Sequence, residues 1–180
     1  MYNNEEIYKV AITNRHLCKG DLAEKITSLT QYDMVILREK DLSAEEYLNL
    51  ATNIIDLHDN ILLHTFIEVA KNLSYKKIHL PFEVFKTNDI SYFDIVGVSV
   101  HSLEEAIFTE ENGASFIIYG HIFQTDCKKD LKPRGTEVLA EICHRVDIPV
   151  YAIGGINDKN IELVKKAGAK GICKMSSAMI

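Results

Sequence analysis

Short apolar runs alternate with amphipathic stretches along almost the whole chain. The runs at Lys9–Thr13, Met34–Arg38, Asn60–His64, Lys77–Leu80, Asp94–Val100, Ser115–Tyr119, Pro149–Ile153 and Gly171–Met175 are aliphatic and β-branched, which predicts strands. Between them lie helical patterns at Leu22–Thr30, Ala44–Leu57, Phe66–Leu73, Leu103–Asn112, Thr136–Val146 and Asp158–Ala167. The second is the strongest. Tyr47, Leu48, Ala51, Ile54 and Ile55 recur at helical spacing, and Ser43 with Glu46 makes a capping box at its start. Gly113 and Gly168 stand where helix C-caps belong. Glu83–Phe93 has the weakest pattern and is expected to be a loop with at most one helical turn.

Eight strands alternating with helices is the count of an α/β (β/α)8 TIM barrel, and residues 1–180 are expected to form one such domain. A doubly wound sheet competes, but Thr13-Asn14-Arg15-His16 after the first strand lacks the glycine-rich dinucleotide loop. The chain ends at Met179-Ile180, directly after strand eight, so the barrel is expected to lack the final helix. Lys170, Ile172 and Lys174 share one face of that strand, with the lysines expected outward. Thin cover over strands eight and one then predicts a homodimer.

Composition narrows the class of function. A hydrophobic content of 47% supports one sizeable core, and a net charge of −6 excludes the clustered basic face that nucleic acid needs. The start, Met1-Tyr2-Asn3-Asn4-Glu5-Glu6, is unlike a signal peptide, and no apolar run is long enough for a membrane span. Cys18, Cys127, Cys143 and Cys173 show neither a C-x-x-C pair nor metal-ligand spacing. A reduced cytoplasmic protein follows, with no membrane or nucleic-acid partner and no metal.

The chemistry gathers where strands six, seven and eight end. Strand six breaks at Gly120 into His121-Ile122-Phe123-Gln124-Thr125-Asp126-Cys127-Lys128-Lys129, which crowds a histidine, hydroxyl, thiol and lysines into one loop. His121 is the general acid/base candidate because imidazole titrates near working pH, and Thr125 and Lys128 stand beside it. A loop histidine satisfied by backbone is the bland alternative. Gly154-Gly155 after strand seven and Ser176-Ser177 after strand eight suit a shared phosphate, or Gly154-Gly155 is a plain turn before a helix. Eight of the nine glycines fall from Gly97 onward, which places the anion-binding loops in the second half. Arg38 at the end of strand two either clamps a carboxylate or phosphate or belongs to a surface charge run. His64 and His79 face the barrel mouth or are structural. His101 reads as structural.

These residues carry a resemblance to the thiamine phosphate synthase/TenI family. Its landmarks are Leu37-Arg38-Glu39-Lys40, Gly97-Val98-Ser99-Val100-His101-Ser102, Gly120 to Lys129, Ala152-Ile153-Gly154-Gly155-Ile156 and Met175-Ser176. The resemblance implies a barrel that binds a thiazole phosphate, with Arg38, Lys40, Ser99, Thr125 and Lys128 as substrate contacts and no cofactor. The synthase branch carries an Asn-Asp pair after strand three and an Asp after strand four, where this chain has His64-Thr65 and Val84. Its strand-two glutamine is Ile36 here. Both magnesium carboxylates are missing, which disfavours pyrophosphate transfer. The Gly120-to-Lys129 segment follows the thiazole tautomerase branch instead. That implies an isomerase that aromatises the carboxythiazole phosphate tautomer, with His121 as the proton shuttle. Thiamine phosphate synthase and a non-catalytic thiazole-phosphate-binding regulator are the alternatives.

Overall fold

A computed structural model describes residues 7–125 and 131–180. Its strands are β1 (Tyr8–Ile12), β2 (Met34–Leu37), β3 (Ile61–His64), β4 (Lys77–Pro81), β5 (Ile95–Val100), β6 (Phe116–Gly120), β7 (Val150–Ile153) and β8 (Gly171–Lys174). They pair in parallel in chain order and close from β8 to β1, with Tyr8 opposite Gly171 and Ala11 opposite Lys174. The helices are α1 (Leu22–Thr27), α2 (Ala44–Ile54), α3 (Ile67–Asn72), α4 (Phe82–Thr87), α5 (Leu103–Glu111), α6 (Gly135–Arg145), α7 (Ile161–Lys166) and α8 (Ser176–Met179). Local signals set several of their ends. Ser43 and Glu46 exchange both bonds of the predicted capping box, and α2 buries Tyr47, Ala51 and Ile54 along one stripe. Ser102 caps α5, and Gly113 and Gly168 take positive φ just past α5 and α7.

Strand alternation makes two apolar layers. Residues such as Val35, Leu37, Leu63, Val98, Ile117 and Ile172 meet the helices, while Val10, Met34, Ile36, Leu62, Phe116, Ile118, Tyr151 and Cys173 fill the barrel. The interior carries an aromatic ladder. Tyr8 stacks on Tyr151, Tyr151 on Phe116, Phe116 approaches His79, and His79 stacks on His64. Gly97 and Gly171 make room for it, since a β-carbon at either would overlap the ring of Phe116 or Tyr151. These two glycines therefore serve packing, although glycine placement alone suggested anion loops.

Two expectations need correction. The chain does not stop at β8: Ser176–Met179 form one helical turn, which buries Ala178 and Met179 in the outer layer and packs on the 3-10 turn Arg15–Leu17. The sequence hid it because four residues are too few to show a period. The thin cover expected over β8 and β1 is also absent, since Ile172 and Ala11 are buried. The homodimer thereby loses the bare strand face that motivated it. Among the described residues, no helix is long and apolar enough to cross a membrane.

Candidate active site

Side chains and turns at the C-terminal ends of the strands line a cavity of about 530 Å³. Arg38, Lys40, Ser99, His121, Thr125, Gly154, Gly155, Ser176 and Ser177 all line it, so nine positions chosen from the sequence meet in one place. Lys128 lies outside the described residues. His64, His79, His101 and Lys174 line the cavity as well. The sequence reads His101 as structural, so its place here is a correction, whereas Lys174 borders the cavity from the strand face it shares with Ile172. The signal for His101 was its place two residues after Ser99, which β5 turns inward.

His121 follows β6 directly and is buried, with its Nε2 3.3 Å from the Leu131 carbonyl oxygen. Backbone bonds seat its loop on β7: the Ile122 amide donates to Ile153 at 2.9 Å and the Phe123 amide to Gly154 at 3.0 Å. A side chain at Gly154 would overlap the His121 β-carbon, and one at Gly155 would overlap the Gln124 carbonyl. Both glycines have positive φ, so the pair is required for close approach of two loops as well as for turning. The Asn160 side-chain amide donates to the Gly155 carbonyl at 2.9 Å, and the Phe123 amide occupies that of Gly154. With both carbonyls bonded within the protein, the amides are the groups left to meet an anion.

His64 and His79 form the floor. Their rings stack at 5.4 Å, the Thr65 hydroxyl lies 2.7 Å from His64 Nδ1, and the Ser99 hydroxyl lies 3.3 Å from His79 Nε2. His79 Nδ1 is buried with no hydrogen-bond partner. The Tyr47 hydroxyl sets the end of β3 by donating to the Leu37 carbonyl and accepting the His64 amide at 2.8 Å. Burial, and then the charges of Arg38 and Lys40, push His79 down to about 3. Burial also holds His64 well below the usual imidazole value, with His79, Arg38 and Lys40 adding to the effect. Both rings are therefore neutral near pH 7.

The lining is one-signed. Arg38 and Lys40 contribute cations, and no carboxylate lines the cavity among the described residues. Magnesium would need hard oxygen ligands there. Thr65 and half-buried Val84 supply no carboxylate, Val84 packs against the outer core, and the described residues hold no group of three or more His, Cys, Asp or Glu side chains placed for a metal ion. The described residues do not fit that ion. They do fit a small anionic molecule with an apolar part against Ile12, Ile36, Ile118 and Ile153.

The chain is 33% identical to a thiamine-phosphate synthase of Clostridium botulinum (strain Kyoto / Type A2), over 98% of this chain and 91% of that protein. It is 30% identical to the thiamine-phosphate synthase of Clostridium tetani, over 93% of this chain and 86% of the other. Among solved structures, thiamine phosphate pyrophosphorylase from Pyrococcus furiosus superposes with a TM-score of 0.80 at 28% identity, covering 96% of this chain and 87% of that one. The TMP-TENI family model, described as thiamine monophosphate synthase, matches residues 9–178, and the chain therefore belongs to that family.

Proposed function

We propose that the cavity belongs to a metal-independent isomerase of the thiazole tautomerase type, acting on a carboxythiazole phosphate. The observation that carries this proposal is His121, an imidazole at the cavity wall in a pocket that has cations and, among the described residues, no carboxylate. In the reaction, the C–H bond at the ring carbon bearing the carboxylate breaks and its proton moves to the imidazole. The electron pair shifts through the ring to the exocyclic double bond, and the same imidazole returns the proton to the exocyclic carbon. One base on one face performs both transfers, and no electrons are gained or lost. Arg38 and Lys40 would hold the carboxylate as charge spreads into the ring, with Ser99 and Thr125 as polar contacts. The amides of Gly154 and Gly155, with Ser176 and Ser177, would take the phosphate. Lys128, seven positions after His121 in the sequence, belongs to the proposal as a further cation.

The alternative is thiamine phosphate synthase itself, and the names of the 30–33% identical relatives favour it. Against it stand Thr65 and Val84, where that chemistry calls for metal carboxylates. One experiment separates the two. Purified protein is given the carboxythiazole phosphate tautomer, and aromatisation is followed by ultraviolet absorbance. In parallel, it is given the pyrimidine pyrophosphate with thiazole phosphate and magnesium. Aromatisation that depends on His121, without coupling, supports the isomerase. Magnesium-dependent coupling with no effect on the tautomer would replace it with the synthase.

A further inference from the structure

Glu39 sits between two residues that line the cavity, Arg38 and Lys40, yet it faces away from the cavity and is only 2% exposed. A buried carboxylate is costly unless donors surround it, and here they do. The Thr13 hydroxyl donates to Oε1 at 2.7 Å. The Arg15 amide reaches both oxygens, at 3.1 and 3.0 Å, and Arg15 Nη1 reaches Oε2 at 3.2 Å. The same Thr13 oxygen accepts the Arg38 amide at 2.9 Å. The Arg15 fork then holds Asp41 at 2.7 and 2.5 Å, with His16 Nε2 2.9 Å from Asp41. The Arg38 amide and the two side chains that flank Lys40, those of Glu39 and Asp41, are thus tied to the loop after β1. A solvated surface charge run would show none of this.

We infer that Glu39, with Thr13 and Arg15, forms a positioning clamp that sets Arg38 and Lys40 for an anionic group of the substrate, here the ring carboxylate. Arg15 also lies in the 3-10 turn that packs on α8, the element carrying Ser176 and Ser177, so the clamp adjoins the phosphate end too. The inference rests on the proposed assignment of the carboxylate to Arg38 and Lys40.

The test uses titration calorimetry with two ligands, the aromatic carboxythiazole phosphate and the same thiazole phosphate without its carboxylate. The wild type is expected to prefer the first by about tenfold or more, the scale of one charge-assisted hydrogen bond. Glu39→Gln and Thr13→Val should abolish that preference and leave affinity for the second ligand nearly unchanged, while Thr13→Ser should retain it. A merely structural role would weaken both ligands equally, and that result overturns the inference. Should the buried-site variants fail to fold, Arg15→Lys carries the same test, because the Arg15 side chain is partly exposed and lysine cannot hold two carboxylates with one fork. A wild type that binds both ligands equally also overturns it. Failure to aromatise the tautomer would sink the proposed reaction alone, since the clamp is read from binding.

Discussion

Arg134 donates from Nε to the Gly120 carbonyl at 3.1 Å and so grips the peptide that carries His121 into the cavity. Its Nη1 reaches the His101 carbonyl at 2.6 Å, and its own amide donates to the His121 carbonyl at 3.0 Å. One side chain ties the rims of β5 and β6 together. Arg134→Ala should lower turnover by about tenfold with little change in KM, since misplacing a catalytic group mainly costs orientation. Arg134→Lys should not restore it, because one ammonium cannot span both carbonyls. Steady-state kinetics checks this, and an unchanged kcat would refute it.

His121→Ala should reduce aromatisation by about two to four orders of magnitude, the usual worth of general acid/base catalysis. Calorimetry should still detect binding of the aromatic product. A variant with near wild-type turnover would move the role to His64 or His79, both of which line the same cavity.

Much of this site was legible in the sequence because its signals are local. Gly120-His121 and Gly154-Gly155 each follow an apolar run, and the strand period fixes where such a run ends. What stayed hidden depends on pairing across the fold. Arg15 and Glu39 are 24 positions apart, so Glu39 resembled a solvated charge beside Arg38. The ring of Phe116 fills the space beside Gly97, which no reading of either segment alone would reveal. Helix α4 runs longer than the single turn expected there, because its six residues are too few to show a period.

Because Thr65 and Val84 offer no carboxylate, the proposed reaction predicts that magnesium will not support formation of thiamine phosphate from the pyrimidine pyrophosphate and thiazole phosphate. Chelator should leave aromatisation unaffected. Product formation that stops on adding chelator, followed by chromatography, would contradict the proposed reaction.

The stacked His64–His79 pair should make the fold sensitive to acid. Both imidazoles have folded-state values depressed below the unfolded value of about 6.5. Their stabilising contribution is therefore complete above that value. It is lost as pH falls towards the folded value, about 3 for His79, because only the unfolded chain takes up the protons. For His79, with its folded value near 3, the loss should be roughly 2 kcal/mol between pH 7 and pH 5, and His64 should add to it in the same direction. Urea unfolding at the two pH values measures the loss. The double variant His64→Asn, His79→Asn should show a much flatter dependence, and equal slopes would show that other groups titrate.

Gly154 offers the sharpest separation of folding from chemistry. Its φ of +102° disfavours any side chain, and a β-carbon would also overlap that of His121. Gly113 has a similar φ of +89°, but a β-carbon there would meet nothing within 4 Å. Gly113→Ala should thus lose only the backbone strain, about 1–3 kcal/mol, with turnover unchanged. Gly154→Ala should lose at least as much stability and also lower kcat, because the imidazole must move to admit the methyl group. Measuring the melting temperature and kcat of both variants distinguishes the effects. If the two lose stability alike and Gly154→Ala keeps full turnover, then the contact between Gly154 and His121 does not set the position of the base.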